Sequence, residues 1–155
     1  MRLSENNGLV YVLKPGDHQA GVDGDSFSMK NFRHFCIDLL TAVLTGDAVL
    51  KIFSGATAGT KTTAETFHYR LADAEQGVDE ADTFGAWTDS AALTLTAATY
   101  DNKQLIIEMD GAELTDAQPW ITMEIGAESS AFNAAAVAVL SEPRYSAHDM
   151  PTAIA

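Results

Sequence analysis

Apolar residues along this chain come in short runs that alternate with polar ones, and clusters of Gly, Asp, Asn and Thr separate the runs. Such period-two patterning, rich in β-branched and aromatic residues, predicts strands joined by turns. Residues 9–13 form a first strand, ended by Lys14-Pro15-Gly16-Asp17, a turn in which proline fixes φ and glycine accepts a positive φ. Gly21-Val22-Asp23-Gly24-Asp25 reads as a loop. A second strand covers residues 32–40, with Phe32, His34, Cys36 and Asp38 on one face and Arg33, Phe35, Ile37 and Leu39 on the other; both faces are mixed, so its orientation stays open. Over residues 48–53 the cleaner apolar set is Ala48, Leu50 and Ile52, which should face the core. Small polar residues with Gly55 and Gly59 make residues 54–62 a loop, after which Glu65, Phe67, Tyr69 and Leu71 mark the inner face of residues 63–71.

The acidic, alanine-rich residues 72–83 predict one or two helical turns or an exposed loop. Residues 92–96 alternate Leu93 and Leu95 with threonines, and Thr99-Tyr100-Asp101-Asn102 turns into residues 104–109, so those two strands are expected to pair. Asp110-Gly111 is a turn dipeptide. In residues 120–125, Ile121, Met123 and Ile125 form an apolar face opposite a wet face of Thr122 and Glu124. Residues 132–140 are almost wholly apolar; Ala134-Ala135-Ala136 would suit a helix, but Val137 and Val139 carry a β signal, and a strand is expected. About eight strands without alternating helices predict an all-β fold, an antiparallel β-sandwich of jelly-roll-like type. One domain over residues 9–142 should carry an extended N-terminal arm, residues 1–8, and an extended C-terminal tail, residues 143–155.

A chain of 155 residues suits one domain, and 46% hydrophobic residues against 20% charged ones provide enough apolar material for a core. The 9 Lys+Arg against 22 Asp+Glu leave a net charge of −13, which repels phosphate backbones and anionic lipid, so neither nucleic acid nor a membrane surface is an expected partner. The same charge serves solubility or a basic partner surface equally well. With Cys36 as its only cysteine the chain can form no internal disulfide and no thiolate metal cluster, and synthesis in the cytoplasm is the default expectation. No basic segment followed by an apolar core opens the chain, and no stretch approaches the roughly 18 apolar residues of a membrane span.

Candidate chemistry is sparse. Asp17-His18 with Asp23-Gly24-Asp25 offers carboxylate and imidazole ligands on a glycine-kinked loop, but the spacing fits no calcium loop, and Asx-turn capping is the expected role. The histidines His18, His34, His68 and His148 form no pair at metal-ligand spacing on one element. Ser4, Ser26 and Ser54 lie outside any Gly-x-Ser-x-Gly elbow, and Cys36 sits mid-strand, away from a helix N-terminus that would activate it. Gly55-Ala56-Thr57-Ala58-Gly59-Thr60-Lys61 lacks the ending of a phosphate loop. Glu65, Glu108 and Glu124 lie on strands where alternation would allow a paired glycosidase acid and base, against the expected reading of solvated sheet faces. Trp87, Tyr100 and Trp120 suggest a sugar-stacking platform, although core or interface anchors are the expected role of the tryptophans. No catalytic residue, cofactor or metal is expected.

The wording of several strands and loops resembles small virion structural proteins of tailed phages. The resemblance is carried by Gly21-Val22-Asp23-Gly24-Asp25-Ser26, Thr45-Gly46-Asp47-Ala48-Val49-Leu50-Lys51, Ser54-Gly55-Ala56-Thr57, Ala81-Asp82-Thr83-Phe84-Gly85-Ala86-Trp87 and Ala98-Thr99-Tyr100-Asp101-Asn102. Gln118-Pro119-Trp120 and Ala138-Val139-Leu140-Ser141-Glu142-Pro143-Arg144-Tyr145 extend it over residues 9–145. It implies a capsid cement or head decoration protein on the capsid exterior of a virion, with the major capsid protein as partner and a homo-oligomer, most naturally a trimer, as its assembly. A tail or neck component, or a carbohydrate-binding module displayed on the particle, is the alternative. Contact is expected through the segments flanking the sandwich, at Asp17, His18, Asp23, Asp25, Arg144 and Tyr145.

Overall fold

The structure is a computed structural model that describes residues 7–127 and 130–144. Twelve strands and one helical turn follow in the order β1 (Gly8–Asp17), β2 (Val22–Asp23), β3 (Phe27–Ser28), β4 (Phe32–Leu44), β5 (Ala48–Gly55), β6 (Thr63–Glu65), β7 (Phe67–Leu71), β8 (Thr88–Ser90), β9 (Leu93–Leu95), α1 (Ala97–Tyr100), β10 (Gln104–Asp110), β11 (Trp120–Ile125) and β12 (Phe132–Pro143). The larger sheet has the order β1-β12-β4-β10-β7-β8. The smaller runs β2-β11-β5-β6, with β3 also on β11 and β9 also on β5. All of these pairs are antiparallel.

Two edges of the smaller sheet are broken strands. β2 and β3 pair with opposite ends of β11, and β6 and β9 with opposite ends of β5. Counting each broken edge once and setting β7 and β8 aside leaves eight positions, wound as 1-8-3-6 in the larger sheet opposite 2-7-4-5 in the smaller. That interleaving is the jelly roll expected from the sequence. The strands β7 and β8 are an excursion: the chain leaves the smaller sheet after Glu65, widens the larger sheet, and returns at β9.

Alternate side chains fill the space between the sheets. Val10, Phe35, Ile37, Leu39, Leu105, Ile107, Ala138 and Leu140 come from the larger sheet, Leu50, Ile52, Leu95, Ile121 and Met123 from the smaller, and all are fully buried. Phe27 of β3 meets Phe35 of β4 edge-to-face across the interface, with ring centroids 5.2 Å apart. Ala48, Leu50 and Ile52 face inward as their alternation implied, and so do Glu65 and Phe67. On β12, which lies between β1 and β4, Phe132, Ala134, Ala136, Ala138 and Leu140 are buried while the residues between them are half-exposed. The alanine run is therefore strand, because tight packing opposite the second sheet overrides helix propensity.

Several local expectations are corrected. Lys14-Pro15-Gly16-Asp17 is not a turn but the end of β1, where register shifts on either side of Leu13 absorb extra residues against β12. Proline is tolerated there because β1 is an edge strand and one of its backbone rows needs no partner. β9 and β10 do not pair; they lie in different sheets, separated by α1, and β10 and β11 likewise form no hairpin at Asp110-Gly111. Of the two readings left open for residues 72–83, the loop holds, as a series of turns. Thr122 is buried rather than wet, its hydroxyl 2.8 Å from that of Ser26. Gly8 and Pro143 belong to β1 and β12, so the sandwich begins and ends one residue further out than its expected bounds; the remaining arm positions 1–6 and 145–155 lie outside the described residues.

Because Phe35 ties the two sheets together, Phe35→Ala should cost about 3–5 kcal/mol of unfolding free energy. Urea denaturation should show a lower midpoint with an unchanged slope; a loss below about 1 kcal/mol would contradict this packing.

Candidate functional site

Side chains that alternate inward on each strand leave a second set on the outer face, and register lines them up across the sheet. In the larger sheet one row crosses all six strands: Leu9, Val139, Cys36, Glu108, His68 and Asp89. The next row holds Tyr11, Val137, Asp38, Ile106 and Arg70. Each row is apolar at the β1-β12 end; the first turns charged at Glu108, His68 and Asp89, and the second carries Asp38 and Arg70 on either side of Ile106.

At the charged end the face sinks into an open groove of about 280 Å³, lined by His34, His68, Trp87, Glu108, Met109, Asp110 and Glu113. The His34 Nδ1 lies 2.8 Å from Asp110 Oδ1, and its Nε2 lies 3.7 Å from Glu108 Oε2. His68 is held from both sides, Nδ1 2.6 Å from Asp89 Oδ1 and Nε2 2.8 Å from Glu113 Oε1. The other oxygen of Glu113 accepts the Asp110 backbone N–H at 2.7 Å, which fixes the segment after β10 against the groove. Hydrogen bonds to Glu113 and Asp89 raise the His68 imidazole from 6.5 to about 9, so it is an imidazolium at neutral pH. With both nitrogens donating, it has no lone pair to give a metal. Among the described residues no group of three or more His, Cys, Asp and Glu is arranged to hold a metal ion.

Arg70 borders this groove differently. Its guanidinium carbon stands 4.8 Å from the centre of the Trp87 ring and 4.9 Å from that of Phe84, and its Nε is buried without a hydrogen-bond partner. Aromatic faces rather than carboxylates hold this cation. Cys36 is half-buried beside Glu108; burial first, then the charges of Glu108 and Asp38, push its thiol up to about 12, so it stays protonated and is a poor nucleophile. The groove is equipped to receive positive charge, and nothing in it is activated for covalent chemistry.

The outer face of the smaller sheet is built differently. Lys61 Nζ reaches Asp23 Oδ1 at 2.8 Å and also contacts Glu124, and it lies 5.7 Å above the Phe53 ring. Hydrogen bonds to Asp23 and then Glu124 raise the Lys61 pKa. Charge and aromatic surface on this face are already matched within the chain.

The residues singled out from the sequence do not converge. Asp17 is exposed and takes the Asx-turn role, its Oδ1 accepting from the backbone of Gln19 and of Phe132, each at 3.0 Å. His18 is buried, with Nε2 3.0 Å from the Lys14 carbonyl. Asp23 is engaged by Lys61, and Asp25 donates its backbone N–H to the Val12 carbonyl at 2.8 Å. Arg144 donates Nε to the Phe32 carbonyl at 3.1 Å. Asp17 pairs with Asn133 and Gly8 with Leu140, so Asp17 and Arg144 stand near opposite ends of β12, roughly 30 Å apart, whereas Asp23 lies in β2 of the smaller sheet and Asp25 sits beside Val12, midway along β1. Tyr145 and His148 lie outside the described residues. Glu65 is buried against the Ser54 hydroxyl and the Thr115 N–H, Glu108 lies on the outer face of the larger sheet, and Glu124 on that of the smaller, so they make no acid and base pair. Trp87 is 45% exposed and Trp120 half-buried, so neither is a core anchor; Trp87 immediately precedes β8 of the larger sheet and Trp120 opens β11 of the smaller, so they share no platform. Alternation already grouped His34 with Cys36, and His68 with Arg70, but only strand pairing brings the two sets together.

No protein-family model matches the chain, and a search of the curated proteins finds no match either. Among solved structures, its fold is similar to that of the SPBc2 prophage-derived protein YomS, at a TM-score of 0.52 and 10% identity, over 86% of this chain and 93% of that one. A structure of infectious bursal disease virus Gt strain aligns over 96% of this chain and 43% of that one at 13% identity, with a TM-score of 0.25, which carries no structural argument. The likeness to the prophage protein is one of fold.

Two outcomes test the groove. His68 carries a folded pKa above its unfolded value, so its ion pairs stabilise fully below about pH 6.5 and fade as pH rises through about 9. The stability difference between the protein and His68→Gln, from urea unfolding, should therefore shrink between pH 6 and pH 10, and a constant or growing difference would contradict the bridge. Cys36 should alkylate with iodoacetamide at pH 8 at least ~100-fold more slowly than a free cysteine. A rate near that of the free thiol would show it unprotected.

Proposed function

We propose that this protein is a non-catalytic structural protein of a tailed-phage virion, which binds the outer surface of the capsid and stabilises it by bridging subunits of the major capsid protein. The observation that carries this reading is the outer face of the larger sheet, where Leu9, Tyr11 and Leu40 stay exposed beside half-exposed Val137 and Val139. Contiguous apolar surface of this kind marks a binding face. The jelly-roll winding, the fold shared with a prophage-derived protein and the phage-like wording of the chain support the assignment. A net charge of −13 turns the surface away from nucleic acid and anionic lipid.

In this role the protein needs no cofactor, and many copies on one particle add avidity that a single face does not supply. Self-association, most naturally as a trimer at a threefold position, belongs to the same proposal. Asp17 with His18, and Arg144, would serve as separate contacts at opposite ends of the larger sheet, because β12 holds them apart, and Asp23 and Asp25 would add contacts from β2 and the loop after it; Tyr145 lies outside the described residues.

Gold-labelled antibody against the chain, applied to intact particles of the phage that encodes it, should mark the head. Label confined to the tail or neck would replace the capsid assignment with a tail role. Particles that carry no copies of the chain, detected neither by label nor by mass spectrometry, would end the virion reading altogether.

A further inference from the structure

Resting on the reading of the chain as a binding domain, we propose that the outer face of the larger sheet is a two-part docking surface for a protein partner that presents apolar side chains bordered by lysines or arginines. The large exposed hydrophobic residues among the described residues are Leu9, Tyr11, Leu40, Val43, Val78 and Trp87. Leu9, Tyr11 and Leu40 lie on this face, Val43 lines the groove that continues past Leu40 and Ala135, and Trp87 stands at the opposite margin. Between β1 and β4 the central strand β12 contributes half-exposed Ala135, Val137 and Val139 with no charge between them, so the strip is continuous there.

Charge selects the occupant. Along the same rows the strip passes into Asp38 and Glu108, and then to the groove with Asp89, Asp110 and Glu113. Against these five carboxylates stand two cations, His68 paired with Asp89 and Glu113, and Arg70 stacked on aromatic rings with its charge intact, so the margin keeps a net negative field. A basic partner meets that field favourably, with the apolar strip as its dry centre and the groove as its polar margin. A second copy of this chain fits poorly, because it brings the same acidic margin and a further charge of −13. Strand addition along β1 is also disfavoured: the Val12 carbonyl is taken by the Asp25 N–H at 2.8 Å and the Lys14 carbonyl by His18, which blocks the middle of that edge. The face, rather than the edge, is the open surface.

The test uses the full-length, isotope-labelled protein and two short synthetic peptides, one alternating valine with lysine and one alternating valine with glutamate. Amide and methyl shifts should move at Leu9, Tyr11, Val137, Val139 and Glu108 with the lysine peptide, and stay in place with the glutamate peptide. The double variant Glu108→Gln, Asp110→Asn should bind the lysine peptide about fivefold more weakly, and Tyr11→Ser should also weaken it, while Glu124→Gln on the smaller sheet should leave binding unchanged. Shifts centred on the smaller sheet, equal binding of both peptides, or undiminished binding by the double variant would each overturn the proposal. If a variant fails to fold, the shift map and the peptide selectivity of the unaltered protein still decide it. Particle labelling is read separately: label on the head without shifts on this face removes the surface, and shifts without label on any particle remove the virion role.

Discussion

Burial of alternate side chains between two sheets is the constraint from which the rest of this molecule follows. Each strand gives one side to the shared interior, where Phe35, Ile37, Ile107, Leu50, Ile52 and Met123 are fully enclosed, and so commits its other side to the outside. The outer surfaces are not left to chance: once the inner set is assigned, register alone decides which outer residues become neighbours. Polar struts sit where the packing leaves room for them. The Ser26 and Thr122 hydroxyls meet beneath Gly59, whose N–H also reaches Ser26, and buried Glu65 links Ser54 of β5 to the segment before β11. Each satisfies groups that would otherwise be costly to bury.

The jelly roll by itself accounts for the apolar half of the larger sheet's outer face, since β1, β12 and β4 are among its eight positions. The acidic half begins on the jelly-roll winding, with Asp38 on β4 and Glu108 and Asp110 on β10, and the excursion of β7 and β8 completes its groove. His68, Arg70, Trp87 and Asp89 all arrive with that excursion and meet Glu108 and Asp110, which the basic winding supplies on β10. An insertion that breaks the edge of the smaller sheet into β6 and β9 therefore widens the larger sheet and equips it with charge. The two outer faces end with opposite characters. On the smaller sheet Lys61 neutralises its neighbours and covers Phe53; on the larger sheet the carboxylates outnumber the cations that could answer them.

This contrast gives the proposed binding role its physical content. On that proposal, an outer face apolar at one end and acidic at the other combines a dry contact with charge selection of the partner. The thiol of Cys36, held up near 12 by burial and by Glu108, sits where those two zones meet and is kept chemically quiet by the same surroundings.

What the sequence determined by itself was local. Period-two alternation disclosed the strands, the inward set on β5 and β11, and, through Val137 and Val139, the extended form of an alanine run that helix propensity would have coiled. Strand count and the absence of helices gave the sandwich. Pairing was decided only in three dimensions: β9 and β10 are close in sequence yet lie in different sheets, and Asp110-Gly111 leads to a crossover rather than a hairpin. The groove gathers His34, His68, Asp89, Glu108 and Glu113 from five separate stretches of chain, while the suggestive Asp17-His18 and Asp23-Gly24-Asp25 loop is occupied by its own backbone and by Lys61. The reason is range. Alternation is a property of adjacent residues and is written along the chain, whereas strand neighbours are chosen by how the whole set of inner faces closes on one core.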